Sequence, residues 1–218
     1  MNIQESITRR IVVIGANGGI GKQAVVQALE RGCAVVAVVR NPDSVGMSHP
    51  KLQITKADVM KPQTLAGLFG KDDVVISAIG KNSTGETTLY SEGDKHILQA
   101  MMSAGAARFF AVSAAGIVVN PTHNLLLRWA TKNILQRILK NMYADLERME
   151  HVVKGSDLNW TLVRPPRLTD GAQKGRYRVS INDFVRNGQQ ISRADVADFI
   201  LNNLDNQDIF RKTVELAY

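Results

Sequence analysis

Arg10-Ile11-Val12-Val13-Ile14-Gly15-Ala16-Asn17-Gly18-Gly19-Ile20-Gly21 is the stretch whose reading decides the fold. Arg10 to Ile14 is a short, β-branched apolar run, the pattern of a strand buried on both faces of a parallel sheet. From Gly21 to Arg31 the apolar residues Ala24, Val25, Ala28 and Leu29 fall on one face of a helix, which Gly32 ends. Between strand and helix, Gly15, Gly18 and Gly21 form a GxxGxxG turn. Such glycines permit a tight turn, close approach of backbone to a pyrophosphate and close packing of helix on strand. The N–H groups that open the helix then hold the phosphates. A nucleotide-hydrolysing P-loop does not fit, because Lys22 is followed by Gln23 rather than Ser or Thr. A glycine-rich turn with no ligand has the same letters; the strand–turn–helix setting points to a dinucleotide.

Working outward, Ala34 to Val39 is a second buried strand, and it ends at Arg40-Asn41. A site for NAD usually carries Asp or Glu there, on the ribose 2′-hydroxyl. A guanidinium instead matches a 2′-phosphate in charge and fork geometry. The reading is NADP(H) over NAD(H), against an exposed Arg that merely opens a loop. Further strands are expected at Leu52–Ile54, Asp73–Ser77, Arg108–Ser113 and Trp160–Arg164, the last stopped by Pro165-Pro166. Helices are expected at Thr64–Phe69, at Lys95–Ala104 and, as one long helix or two, from Asn124 to Lys154. The tail reads as a strand at Tyr177–Val179, a helix at Ala194–Leu204 capped by Ser192, and a strand at Thr213–Leu216. This alternation predicts an α/β, doubly wound, Rossmann-type parallel sheet. A single domain over 1–218 is expected, with a small C-terminal lobe after Pro165.

Composition narrows the class. The 218 residues carry 27 Lys+Arg against 20 Asp+Glu, a net charge of +7, and are 44% hydrophobic. That excludes a disordered chain. One cysteine, Cys33, excludes a disulfide framework and a Cys-rich zinc site, and reads as inert core. No apolar run approaches the roughly 20 residues of a bilayer span, and Met1 to Arg10 lacks the apolar core of a secretory signal. The expectation is a cytoplasmic protein without a membrane partner. Its basic residues are scattered, so a solvated basic surface is expected rather than a nucleic-acid footprint, with an anionic cofactor or substrate as the next reading. Arg128, Lys132, Arg137 and Lys140 lie on a stretch without acids, interleaved with Leu127, Ile134, Leu135, Ile138 and Leu139. They read as the solvated face of an amphipathic helix, or else as a basic rim for an anionic substrate; a dimer face or a nucleic-acid patch is a lesser alternative.

Ser113 ends its strand where open α/β sheets place ligands. Its hydroxyl can serve the cofactor amide or the substrate, or cap the next turn. It is not a hydrolase nucleophile, since Val112-Ser113-Ala114 lacks the flanking glycines of the nucleophile elbow. His49, His96, His123 and His151 show no metal spacing, and no metal is expected. His123 and Arg167 are lesser candidates for the substrate mouth.

These residues together resemble the atypical short-chain dehydrogenase/reductases, in particular the NAD(P)H-binding group around biliverdin-IXβ/flavin reductase. The resemblance covers nearly the whole chain. Gly15-Ala16-Asn17-Gly18-Gly19-Ile20-Gly21 and Val39-Arg40-Asn41-Pro42 look like that group's cofactor turn and its Arg. Ala57-Asp58-Val59 resembles the segment whose Asp faces the adenine, and Ile76-Ser77-Ala78-Ile79-Gly80 the segment along the ribose. Val112 to Gly116 resembles the active-site Ser segment. Asn159 to Pro166 is similar to the strand and Pro turn beside the nicotinamide, and Ile191 to Ala197 to the late helix start.

The resemblance implies cofactor contacts from Gly15, Asn17, Gly18, Gly19, Ile20, Gly21, Arg40, Asp58, Val59, Ala78, Ile79, Gly80 and Pro166, with Ser113 at the reacting end. One departure matters. Typical short-chain dehydrogenases pair Tyr-x-x-x-Lys so that the Lys lowers the phenol's pKa, a pair that the flavin-reductase branch also lacks. Here Tyr143 is followed four residues later by Glu147, which would push the phenol up. Tyr143 therefore reads as a packing residue. The implied activity is hydride transfer from NADP(H) to a flat conjugated acceptor, such as a flavin, quinone or bilin. The alternatives are a cofactor-binding sensor without turnover and a sugar-nucleotide epimerase or dehydratase. A monomer or homodimer is expected.

Overall fold

The structure, a computed structural model, describes residues 9–80 and 85–218. Most of the Met1 to Arg10 reading therefore falls outside the described residues. The core is one eight-stranded sheet. Its strands in chain order are β1 (Arg10–Ile14), β2 (Ala34–Val39), β3 (Leu52–Lys56), β4 (Val74–Ser77), β5 (Arg108–Val112), β6 (Asn159–Arg164), β8 (Arg178–Ile181) and β10 (Lys212–Ala217). In space the order is β3-β2-β1-β4-β5-β6-β10-β8. All neighbours are parallel except β8, which runs antiparallel to β10. The order reverses between β1 and β4, where such sheets open a crevice at the carboxyl ends of the strands.

The central strands β1, β2, β4 and β5 bury both faces. Val13, Ala37, Ile76 and Phe110 point to one side, where α1 (Gly19–Glu30) and α6 (Arg193–Asn202) cover them. Val12, Val36, Val75 and Phe109 point to the other, under α2 (Leu89–Ala104) and α5 (Lys140–Lys154). This is why these strands read as continuous apolar runs rather than alternations. Ser192 caps α6 by accepting from the Asp195 N–H at 3.0 Å, as its position in the sequence predicts.

Four expectations need correction. The helix expected at Lys95–Ala104 starts six residues earlier, at Leu89. Its first turns carry Gly93 and Asp94, both poor in the apolar signal. Gly93 lets the helix lie against Val59, whose Cγ2 would be 2.9 Å from an added Cβ, and Asp94 is buried and bonded to Ser77. Thr64–Phe69 is not a helix. A 3₁₀ turn at Pro62–Leu65 stops where Ala66 turns extended and Gly67 takes φ +70°. The tail is less a separate lobe than expected, because β8 and β10 complete the main sheet. Only β7 (Arg167–Thr169) and β9 (Gln190–Ser192) form a small sheet of their own.

The stretch from 124 to 154 is broken. It contains α3 (Leu125–Ala130), a π turn at Thr131–Leu135, α4 (Gln136–Ile138) and α5. Its first half does not bury the apolar face expected of it, since Leu125, Leu126, Trp129, Ile134, Leu135 and Ile138 are exposed. Among the described residues, no helix is long and apolar enough to cross a membrane.

Candidate functional site

A cleft of about 690 Å³ opens at the carboxyl ends of β1, β2, β4 and β5. Its floor is the glycine turn. Gly15 adopts φ +78°, and a Cβ there would lie 2.5 Å from the Ala78 carbonyl oxygen, so only glycine fits. Gly21 packs the helix onto the turn, where an added Cβ would meet the Gly15 oxygen at 2.2 Å. Gly18 is the N-cap of α1 and offers no side chain to the first helical N–H groups. Gly18, Gly19 and Ile20 line the cleft, so those groups and the positive end of the helix dipole open onto it.

At one end of the cleft stand Arg40, Asn41, Ser44 and Asn17. Asn41 opens a short 3₁₀ turn over Pro42–Ser44 by accepting from the Asp43 N–H, and Asn17 bonds Ser44 across the cleft. Arg40 is exposed, which leaves its fork open to a phosphate. Asp58 and Val59 line the adjoining wall. The Asp58 carboxylate accepts from the Met60 N–H at 3.0 Å, and the Val59 carbonyl is 2.7 Å from His96 Nδ1. Ala78, Ile79 and Gly80 continue the wall after β4.

The far end is apolar: Leu89, Tyr90, Val112, Ala114, Met142 and Leu146 surround Ser113. Ser113 is buried, and its hydroxyl donates to Glu150 Oε1 at 2.7 Å. Glu150 also takes Arg164 Nε at 2.7 Å, Arg164 Nη2 in the second arm of the fork, and Lys154 Nζ at 3.0 Å. Burial pushes the Glu150 carboxyl up, but the Arg164 guanidinium and the Ser113 and Lys154 donors outweigh it and hold it below its ordinary value. The Ser113 proton is thus committed to an ionised carboxylate. What the hydroxyl can still give the cleft is an acceptor lone pair.

Tyr143 packs against Gly116 and does not line the cleft. It is buried, and a Cβ added to Gly116 would lie 2.3 Å from its hydroxyl. Burial pushes its phenol up. The sequence pointed to a raised phenol for a different reason: Glu147 is exposed and plays no part in the shift.

The structure brings together at the cleft Gly15, Asn17, Gly18, Gly19, Ile20, Arg40, Asp58, Val59, Ala78, Ile79, Gly80 and Ser113. Gly21 stands behind the turn. Pro166 does not line the cleft; its neighbour Pro165 accepts from the Ala115 N–H at 2.9 Å and so braces the Ser113 segment from outside. His123 bonds the Gly188 carbonyl and Arg167 bonds Gln190, and neither lines the cleft. Cys33 is half-buried against the α1–α6 core.

Arg193 is a lining residue that sequence reasoning missed. It opens α6, pairs with Asp170 at 2.6 Å, and passes its Cδ where a Cβ on Gly19 would stand, at 2.2 Å. Gly19 therefore makes room for a cation beside the phosphate turn. The one available signal was the position of Arg193 just after the Ser192 cap.

Fold and cleft together define a Rossmann-type nucleotide-binding protein with its glycine turn at the point where strand order reverses. Residues 15–207 match the NAD(P)H-binding family, and the chain belongs to it. It is 30% identical to an uncharacterized chloroplastic protein of Arabidopsis thaliana, over 96% of this chain and 77% of that protein. It is 24% identical to the photosystem II assembly factor Ycf39 of Synechocystis, over 94% of this chain and 61% of that one. The crystal structure of a short-chain dehydrogenase/reductase from Veillonella parvula in complex with NADP shares the fold, with a TM-score of 0.76 at 19% identity, covering 96% of this chain and 94% of that one.

Proposed function

We propose that the chain is an NADP(H)-dependent reductase that passes hydride to a flat conjugated acceptor of the flavin, quinone or bilin type. The observation that carries this reading is the make-up of the cleft beyond the turn. Apolar side chains from β5, α2 and α5, with the Tyr90 ring among them, surround Ser113, and the Ser113 proton is already given to Glu150. Such a site can seat a flat ring and exclude water. Its Ser113 hydroxyl is not a tuned acid for a carbonyl or alcohol. A conjugated acceptor needs none, since solvent protonates it once the hydride has arrived.

When bound, the reduced nicotinamide supplies the hydride from its C4. The N–H groups of Gly19 and Ile20 hold the pyrophosphate, with Arg193 beside them, while the Gly18 N–H closes the turn onto the Gly15 carbonyl at 2.8 Å. Arg40 takes the 2′-phosphate, which favours NADP(H) over NAD(H), and Asp58 borders the adenine. Ser113 accepts from the amide of the nicotinamide, which fixes the ring's orientation. A basic surface of net charge +7 suits an anionic acceptor.

A second reading is a sensor that binds the cofactor without turnover. The commitment of the Ser113 proton to Glu150 suits it equally, and one relative is named as an assembly factor. Steady-state NADPH oxidation against a panel of flavins, quinones and bilins, alongside calorimetric NADPH binding, separates the two. Turnover supports the reductase. Tight binding with every acceptor inert supports the sensor, and no binding of either nucleotide overturns both.

A further inference from the structure

The stretch from 124 to 140 is almost continuously helical, yet none of its residues is buried. Leu125 is 80% exposed, Trp129 56%, Ile134 48% and Ile138 60%. Their spacing is four, five and four residues. The five-residue step falls on the π turn at Thr131–Leu135. Side chains four apart share a face of an α-helix, whereas in a π turn residues five apart are hydrogen-bonded neighbours. The π turn therefore keeps these four apolar side chains in one row. Arg128, Lys132 and Arg137 repeat the four-and-five spacing, each three residues after a member of that row, so they form a second row alongside.

These cations are unopposed. The chain has no Asp or Glu from residue 95 to residue 144. Among the described residues none of Arg128, Lys132, Arg137 and Lys140 is in an ion pair. The segment is held firmly at its base. Asn124 accepts from the Leu127 N–H at 2.8 Å, and Gln136 Nε2 donates to the Gly116 and Ile117 carbonyls at 3.1 and 3.0 Å.

We propose that this segment is a docking surface for an anionic lipid bilayer, lying in the plane of the interface. An apolar row ending in Leu, Ile and Trp suits the headgroup–acyl boundary, and the flanking cation row suits anionic headgroups. Exposed apolar area of this kind on a soluble face otherwise carries a cost. A second copy is a poorer occupant, because a twofold contact through this face sets one acid-free cation row against another. The expectation of no membrane partner rested on the lack of a spanning run; an interfacial helix needs none. The proposal stands independently of what the cleft turns over.

The test uses the full chain and two vesicle preparations: phosphatidylcholine alone, and phosphatidylcholine mixed with an equal part of phosphatidylglycerol. Flotation with the mixed vesicles and not with phosphatidylcholine is expected, together with a blue shift of Trp129 emission, since Trp160 is already buried. Each of Arg128→Gln, Lys132→Gln and Arg137→Gln should lower partitioning roughly fivefold, and added salt should do the same. Leu125→Ser/Trp129→Ser should abolish flotation while thermal melting stays as in the wild type. Failure of the wild type to float with mixed vesicles overturns the proposal. So does equal binding to both preparations, or a lipid-free dimer that Leu125→Ser/Trp129→Ser dissociates.

Discussion

Gly18→Val and Gly21→Ala are expected to fail in opposite ways. Gly18 has φ −70° and ψ 161°, a conformation open to any residue. Its added Cβ would sit 3.1 Å from the Gly15 oxygen and 3.6 Å from the Ala78 oxygen, a tight fit that small shifts relieve. The strain is about 1 kcal/mol, the low end of overpacking, and Tm should fall by only about 2–4 °C. The new side chain instead fills the approach to the first N–H groups of α1. Losing two charge-assisted N–H contacts, at about 1.5–3 kcal/mol each, weakens NADPH binding by more than a hundredfold. At Gly21 every nearby atom is backbone: the Gly15 oxygen at 2.2 Å, the Gly15 carbonyl carbon at 2.8 Å and Ala16 Cα at 3.0 Å. No side chain can yield there, so Gly21→Ala should cost about 3 kcal/mol, the upper end of the range, or roughly 6–12 °C in Tm. Thermal melts and NADPH calorimetry on both variants give the comparison. A folded Gly18→Val that binds NADPH at wild-type affinity refutes the phosphate-cradling role of this turn, and a Gly21→Ala as stable as wild type refutes the packing argument.

Arg40→Ala should weaken NADPH binding by about 1.5–3 kcal/mol and leave NADH nearly unchanged; equal losses in calorimetry would show that Arg40 does not read the 2′-phosphate. Tyr143→Phe should leave kcat/KM on the best acceptor of the panel nearly unchanged, because burial holds its phenol up and away from a working range. A fall of about a hundredfold would restore a proton-shuttling Tyr. Ser113→Ala should lower kcat/KM more than Tyr143→Phe does, through cofactor placement; a variant indistinguishable from wild type would remove Ser113 from the site. Burial pushes the Asp94 carboxyl from 3.8 up to about 7, so between those values the folded chain holds a proton that the unfolded chain has lost. Its stability should therefore decline as pH rises through that window, by at most roughly 4 kcal/mol. Asp94→Asn should flatten the decline in Tm against pH, and an unchanged profile would contradict the assignment.

The sheet and the glycine turn are legible in the sequence alone. β1, β2 and β5 are apolar runs bounded by Gly, Asn or Ser, and in a doubly wound sheet burial on both faces is all that such a run needs to declare itself. The glycines are legible because their reason is local: a positive φ at Gly15 and a carbonyl in the path of a Cβ at Gly21. Arg40 was legible for the same reason, since its place at the end of β2 follows from the strand alone. Tertiary structure decided what depends on residues far apart in the chain. Arg193 reaches the turn only because α6 packs beside α1, 174 positions after Gly19. The Ser113 proton goes to a carboxylate 37 residues away, held by Arg164 on β6 and by Lys154 one turn further along α5. Sequence places a hydroxyl but not its partner. The exposed face of the stretch from 124 to 140 is the clearest case. Its periodicity is that of a helix ready to bury an apolar side, and whether a core lies against that side is a property of the whole chain, not of the stretch.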